Sequence, residues 1–309
     1  MKPDRTRLFC IVGPTAAGKS RMGVEVAVAM RDAGRSVEIV SCDSMGVYRG
    51  LDITADKPRP EERRGIPHHL FDVADPDEEF TAVRYRELAR TAVDDISARR
   101  GAPILVGGTG LYFRAVVDDL EFAPTSAEVR ERLQREDPED LFERLREADP
   151  ASAARLDPRN VRRVVRAVEV LEITGRPPSE LRTSWERGGG PYDVVVAGLT
   201  WARAELLRRA EERVQRELDA GLLDELALIG RENLSRTAAQ ALGVKEMIPV
   251  IDGVEPIESA RIRLVRNTKS FIRRQLSWFG ADPRIVWVDA SELGWEGARA
   301  RIIELFAEA

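Results

Sequence analysis

The chain has 309 residues, 43% of them hydrophobic and 33% charged, with a formal net charge of −5. That length holds one large core plus a smaller second domain, and the composition is that of a folded globular protein. Membrane-spanning and strongly basic classes are excluded: no apolar run approaches the roughly 18 residues of a span, and a nucleic acid could be held only by a local basic surface.

Taken in chain order, the opening Met1-Lys2-Pro3-Asp4-Arg5 has no apolar leader, so a cytoplasmic protein is expected. Leu8–Val12 is a short apolar run that fits a buried parallel strand. It leads into Gly13-Pro14-Thr15-Ala16-Ala17-Gly18-Lys19-Ser20, a complete G-x-x-x-x-G-K-[ST] phosphate-binding loop. Glycine lets the backbone N–H groups curl around a polyphosphate, and the following helix N-terminus adds partial positive charge. Lys19 would reach the terminal phosphates and Ser20 would place its hydroxyl on Mg²⁺. Met22, Val26 and Ala29 continue at helical spacing, predicting a helix over 20–33.

A second strand is expected at Val37–Ser41, a helix over 81–99 and a third strand at Pro103–Val106. Continuous apolar strands separated by helices argue for an α/β protein, a parallel sheet covered on both faces in the manner of phosphate-loop NTPases. Cys10 and Cys42 fall in these strands and are expected to be reduced and buried. Ligands gather at the carboxyl ends of such strands. The phosphate loop, Asp43-Ser44-Met45 and Gly107-Gly108-Thr109-Gly110 all follow strand ends, so they are expected to face one crevice.

From about residue 124 the texture changes to short charged helices. Thr125 and Glu128 have the spacing of a capping box, and Asp137-Pro138, Asp149-Pro150 and Asp157-Pro158 each place an N-cap aspartate before a first-turn proline. Breakers at 174–178 and Gly188-Gly189-Gly190-Pro191 close this block. Strand character returns at Val194–Leu199, with helices at 203–219, 222–231 and 256–279 and a last strand at Arg284–Val288. The division expected is an α/β core over 1–122 and 191–309 with an all-helical insertion over 123–190.

Asp43 is the carboxylate of most interest. At a strand end it could hold a metal, accept a substrate proton or cap the next turn. After Ile104-Leu105-Val106 the chain offers glycines and Thr109 where many kinases and motor ATPases carry a metal-binding aspartate, which weakens a water-activating ATPase. His68 and His69, the only histidines, point to different faces and are expected to be hydrogen-bonding residues rather than metal ligands. Residues 261–280 hold six basic residues and no acid. Arg266, Lys269 and Arg273 share one helical face, and Ile262, Val265, Ile272, Leu276 and Phe279 form the expected buried one. With Arg159, Arg162, Arg163 and Arg166 in the insertion, this suggests a phosphate-backbone clamp from two sides.

Taken together these motifs resemble the tRNA dimethylallyltransferases, or IPP transferases. The resemblance is carried by the loop at 13–20, Asp43–Gly50, Asp52–Pro58, Gly65–Leu70, Gly107–Tyr112, Arg166–Val170, Ala241–Glu246 and Arg273–Phe279. It implies transfer of a dimethylallyl group from dimethylallyl diphosphate to N6 of adenosine 37 beside the anticodon, with Mg²⁺ as cofactor, the tRNA anticodon stem-loop as partner, and a monomer. It further implies that residues 13–20 and Arg213 hold the diphosphate, that Lys19 neutralises the leaving group, that Asp43 takes the N6 proton and that Thr109 supports the site. Asp43, Ser44, Met45, Gly46, Arg130, Arg162, Arg163, Arg166, Lys245, Arg273, Arg274 and Gln275 fall on segments expected to touch tRNA. The chain departs from the family pattern at Gly46 (commonly glutamine), Thr54-Ala55-Asp56 (commonly Gly-Thr-Ala), Val244 (commonly tyrosine) and Gly280 (often basic). A small-molecule kinase and a nucleotide-gated RNA-binding module are the alternative readings. The first leaves the basic helix unused, and the second predicts RNA affinity without a product.

Overall fold

The computed structural model describes residues 5–180 and 189–308. The leader reading at residues 1–4 and the first glycine of the breaker at 188 lie outside them. Six strands form one wholly parallel sheet: β1 (Arg7–Val12), β2 (Val37–Cys42), β3 (His68–His69), β4 (Ala102–Gly107), β5 (Asp193–Thr200) and β6 (Ile285–Asp289), in spatial order β3-β2-β4-β1-β5-β6. The two-residue edge strand β3 is too short to carry a period.

Alternation along β1 shows why both faces are covered. Leu8, Cys10 and Val12 enter one core with Tyr85, Val93, Phe113 and Phe279, while Phe9 and Ile11 enter another with Met22, Val26, Ile302 and Phe306. The helices Ala82–Ala98 and Gly110–Val117 supply the first face, and Lys19–Asp32 and Ala290–Ala307 the second. The last of these was not foreseen: at Gly294 the backbone leaves helical geometry (φ 70°, ψ 167°), which breaks the apolar period.

The chain folds as two units, one formed by residues up to Val117 and from Pro191 onward, the other by Asp118–Gly190. The second unit has its own core of Leu133, Leu141, Leu145, Val164, Val165 and Val168. Asp137 and Asp149 cap their helices as expected, accepting from Glu139 N–H and Ser152 N–H. Two starts differ. Ser126, not Thr125, caps Ala127–Leu133. Asp157 instead closes a turn on Arg159, and Asn160 caps Val161–Thr174, since an amide adjacent to the first helical residue reaches its N–H groups more directly.

Within the first unit the helix expected over 222–231 ends at Ile229 and gives way to a 3₁₀ turn at Arg231–Asn233. The long helix Ile257–Gly280 buries Ala260, Leu264, Thr268, Ile272, Gln275 and Phe279. Its inner face is therefore rotated from the expected one, with Ile262 exposed.

Candidate active site

Register brings the site together. Val12 and Cys42 are both aligned with Gly107, so the segments after β1, β2 and β4 emerge at one level. Thr15, Lys19, Ser20, Asp43, Thr109 and Arg213 line one cavity of ≈ 260 Å³. The crevice expected from the three strand ends is therefore present. A second hollow of ≈ 550 Å³ shares Lys19, Ser20, Asp56, Pro58 and Arg213 with it, so the two meet at the phosphate loop.

The loop is shaped by what surrounds it. Gly13 adopts φ +148°, and a Cβ there would lie 2.3 Å from Leu199 O, so only glycine allows the loop to pass β5. Its outer wall is built by residues sequence reasoning missed. Trp201 Nε1–H donates to Ala17 O at 3.0 Å, Arg209 Nε–H donates to Ala16 O at 2.9 Å, and Trp295 packs against Gly18. Arg209 lies over Trp201 and Arg21 over Trp295 as cation–π pairs. Trp201 could have been suspected, since it follows the carboxyl end of β5 directly.

Lys19 Nζ donates to Pro14 O at 2.7 Å. Burial lowers its pKa to about 8, with Arg213 adding to the depression and Asp43 opposing it. Arg213, on the helix Arg203–Asp219, donates to Thr15 Oγ1 at 2.9 Å and pairs with Glu217 at 2.6 Å and Asp56 at 3.3 Å. Burial opposes its charge, but these carboxylates outweigh it and hold the guanidinium above its ordinary range, while burial pushes Glu217 up despite Arg213. Asp56 and Glu217 were not foreseen as part of this site.

Asp43 Oδ1 accepts from Met45 N–H at 2.8 Å and Gly46 N–H at 3.2 Å. The turn-capping role is thus real, but it occupies one oxygen, and no donor among the described residues reaches Oδ2. Thr109 Oγ1 accepts from Ser44 N–H at 3.1 Å, fastening the β4 end to the Asp43 turn. Cys42 is buried and its thiol is pushed up to about 12 by that burial, so it is no nucleophile. His68 Nδ1–H donates to Ile66 O and His69 pairs with Glu38, the hydrogen-bonding roles expected. No cluster of three metal-ligating side chains exists among the described residues.

The residues expected to touch RNA divide into groups. Ser44, Met45, Lys245 and Arg274 line the cavity beside Asp43. Gly46 is buried against Phe71, where a Cβ would lie 3.1 Å from the ring, so a longer side chain needs the Phe71 ring to shift by a few tenths of an ångström. Arg273 is exposed. Gln275 is turned inward and 6% exposed, with both ends of its amide bonded to protein. In the second unit Arg162 and Arg163 are exposed, whereas Arg130 and Arg166 close on the fully buried carboxylate of Glu169. Among the departures, Thr54 donates through Oγ1 to Glu225, whose carboxylate also accepts from the N–H groups of residues 52–54. Val244 is buried in the core.

A family model described as IPP transferase matches residues 46–282. A tRNA dimethylallyltransferase of Symbiobacterium thermophilum is 46% identical over 91% of this chain and 89% of its own length, and one of Streptomyces avermitilis is 43% identical over 98% and 94%. The crystal structure of a tRNA isopentenylpyrophosphate transferase from Bacillus halodurans superposes with a TM-score of 0.72 at 34% identity, covering 98% of this chain and 96% of that one. A eukaryotic dimethylallyltransferase acting on tRNA gives 0.79 at 26% identity, covering 96% and 78%. The chain belongs to the IPP transferase family, that of the tRNA dimethylallyltransferases.

Proposed function

We propose that the protein transfers a dimethylallyl group from dimethylallyl diphosphate to N6 of adenosine 37 in tRNA. The observation that carries this reading is the placement of Asp43, with Oδ2 free, in the same cavity as Lys19 and the phosphate loop. The loop N–H groups, Lys19 and Arg213 hold the diphosphate. The N6 lone pair attacks the first carbon of the prenyl group, the carbon–oxygen bond breaks, and its electron pair leaves with pyrophosphate. Asp43 Oδ2 accepts the N6 proton, and Lys19 offsets the charge growing on the leaving group. The hollow that shares Lys19 and Arg213 with this cavity lies along the phosphate loop, where the diphosphate would be held. An anticodon-loop adenosine suits such a site because it leaves its stack at a cost of only a few kcal/mol.

Mg²⁺ fits the donor set: the exposed Ser20 hydroxyl beside the phosphate loop would hold it, and phosphates and water would complete the shell. When bound, the ion would supply further neutralisation of the leaving pyrophosphate. The glycines at 107–108, where a metal aspartate would stand, give a kinase no support.

The test is incubation of purified protein with dimethylallyl diphosphate, Mg²⁺ and unmodified tRNA, followed by nucleoside mass analysis. A dimethylallyl mass gain on adenosine is expected, and its absence under all conditions overturns the reading. Asp43→Asn is expected to lower the rate about 10²- to 10⁴-fold with tRNA affinity nearly unchanged. An equal loss of both would make Asp43 a positioning residue.

A further inference from the structure

We infer that Gln275 is a positioning residue that sets the shape of the phosphate loop from the basic helix. Its Oε1 accepts from Thr15 N–H at 2.8 Å and its Nε2–H donates to Gly108 O at 2.8 Å. One buried amide thus spans the gap between the loop after β1 and the loop after β4. Gly108 keeps that approach open, because a Cβ there would lie 2.6 Å from Gln275 Nε2 and 3.3 Å from Lys19 Nζ.

The chemistry of the two bonds explains the choice of residue. Thr15 needs an acceptor and Gly108 a donor, and a primary amide offers both in one plane. With Thr15 N–H fixed inward, the loop cannot turn that group toward a ligand. The first-turn N–H groups of Lys19–Asp32, which have no intrahelical partner, are left to meet the anion. Gln275 also follows Arg273 and Arg274, exposed cations with no carboxylate partner among the described residues. The helix that carries those cations is therefore tied by this side chain to the place where phosphate is held. The inference rests on the proposed function only for the identity of the anion, so inorganic pyrophosphate with Mg²⁺ serves as the probe.

Calorimetric titration of pyrophosphate into wild type, Gln275→Leu and Gln275→Glu, without tRNA or prenyl donor, tests it. Thermal unfolding and tRNA affinity are measured in parallel. Gln275→Leu is expected to weaken pyrophosphate about tenfold with tRNA affinity unchanged. Gln275→Glu keeps the acceptor for Thr15 but loses the donor to Gly108. Its affinity relative to wild type is therefore expected to recover as pH falls and the carboxyl regains a proton. Unchanged pyrophosphate affinity in both variants overturns the inference. So does a parallel loss of tRNA affinity and unfolding temperature, or a Gln275→Glu deficit that ignores pH. If the wild type failed to prenylate tRNA while pyrophosphate binding still depended on Gln275, the functional reading would fall and this one would stand.

Discussion

Arg213 is surrounded by more negative charge than it can cancel. Glu217 and Asp56 both pair with it, while Asp43 lines the same cavity with Lys19, Lys245 and Arg274. A diphosphate entering here competes with Asp56, the more exposed of the two partners, for the guanidinium. Asp56→Asn is therefore expected to tighten Mg²⁺-pyrophosphate binding about three- to tenfold, read by calorimetry. A weakened affinity would show that Asp56 serves the cation instead. Lys19 adds a pH dependence: its folded-state pKa of about 8 lies below the ordinary 10.5, so the ammonium is present below about 8 and lost above it. Pyrophosphate affinity is expected to fall as pH rises through that value, and Lys19→Arg, which does not titrate there, should lack this step. Asp43, Lys19 and the loop were legible in the sequence because each stands at a strand end. Asp56 was not, since only the fold brings its loop onto an arginine more than 150 residues further along, whereas Glu217 lies four residues from Arg213 on one helix and was a local signal left unread.

The helix Ile257–Gly280 shows how a charge stripe is edited by its neighbours. Of its six cations, Arg261 pairs with Glu258, Arg263 with Glu255 and Lys269 with Glu211. Arg266, Arg273 and Arg274 have no carboxylate partner among the described residues and remain available to a phosphate backbone. Arg273→Ala is expected to weaken tRNA binding across tRNAs and reduce the salt slope by about one. Arg261→Ala should change it little, as filter binding over a salt series would show. The sequence revealed the stripe but misplaced the buried face. Apolar counting puts Ile262 inside, yet Thr268 and Gln275 are buried because each has a hydrogen-bond partner, Leu264 O for the first and the two site loops for the second. Polar residues that satisfy themselves on burial are invisible to a hydrophobic pattern.

At the scale of the molecule the helical insertion is a separate folding problem. Asp119 N–H donates to Gly189 O at 3.2 Å, so the chain enters and leaves this unit side by side. The cavity at the phosphate loop is lined entirely by residues of the first unit. Replacing 118–190 by a short Gly/Ser linker is expected to leave pyrophosphate binding intact and weaken tRNA binding. Loss of both would show that the first unit does not fold alone. Within the insertion, Glu169 is fully buried and accepts from Arg130, Arg166 and Ser126 N–H. Glu169→Ala leaves two arginines without their common partner and is expected to cost about 3–5 kcal/mol, measured by denaturant unfolding. Alternating strands and the helix starts at Asp137-Pro138 and Asp149-Pro150 were readable in the chain, whereas Asp157-Pro158 was not a start. The C-terminal helix was hidden by its break at Gly294.

The two tryptophans on the outer wall of the phosphate loop give the protein a built-in optical reporter. Trp201 shares a hydrogen bond with the loop and Trp295 touches Gly18, while each ring carries an arginine on its face. Any rearrangement of residues 16–18 on anion binding changes the quenching and polarity that these indoles experience. Emission excited at the indole band is therefore expected to respond to pyrophosphate without any added label, and the response should vanish in the Trp201→Phe, Trp295→Phe double variant. Occupancy of the proposed donor site could then be followed in real time on the unlabelled protein.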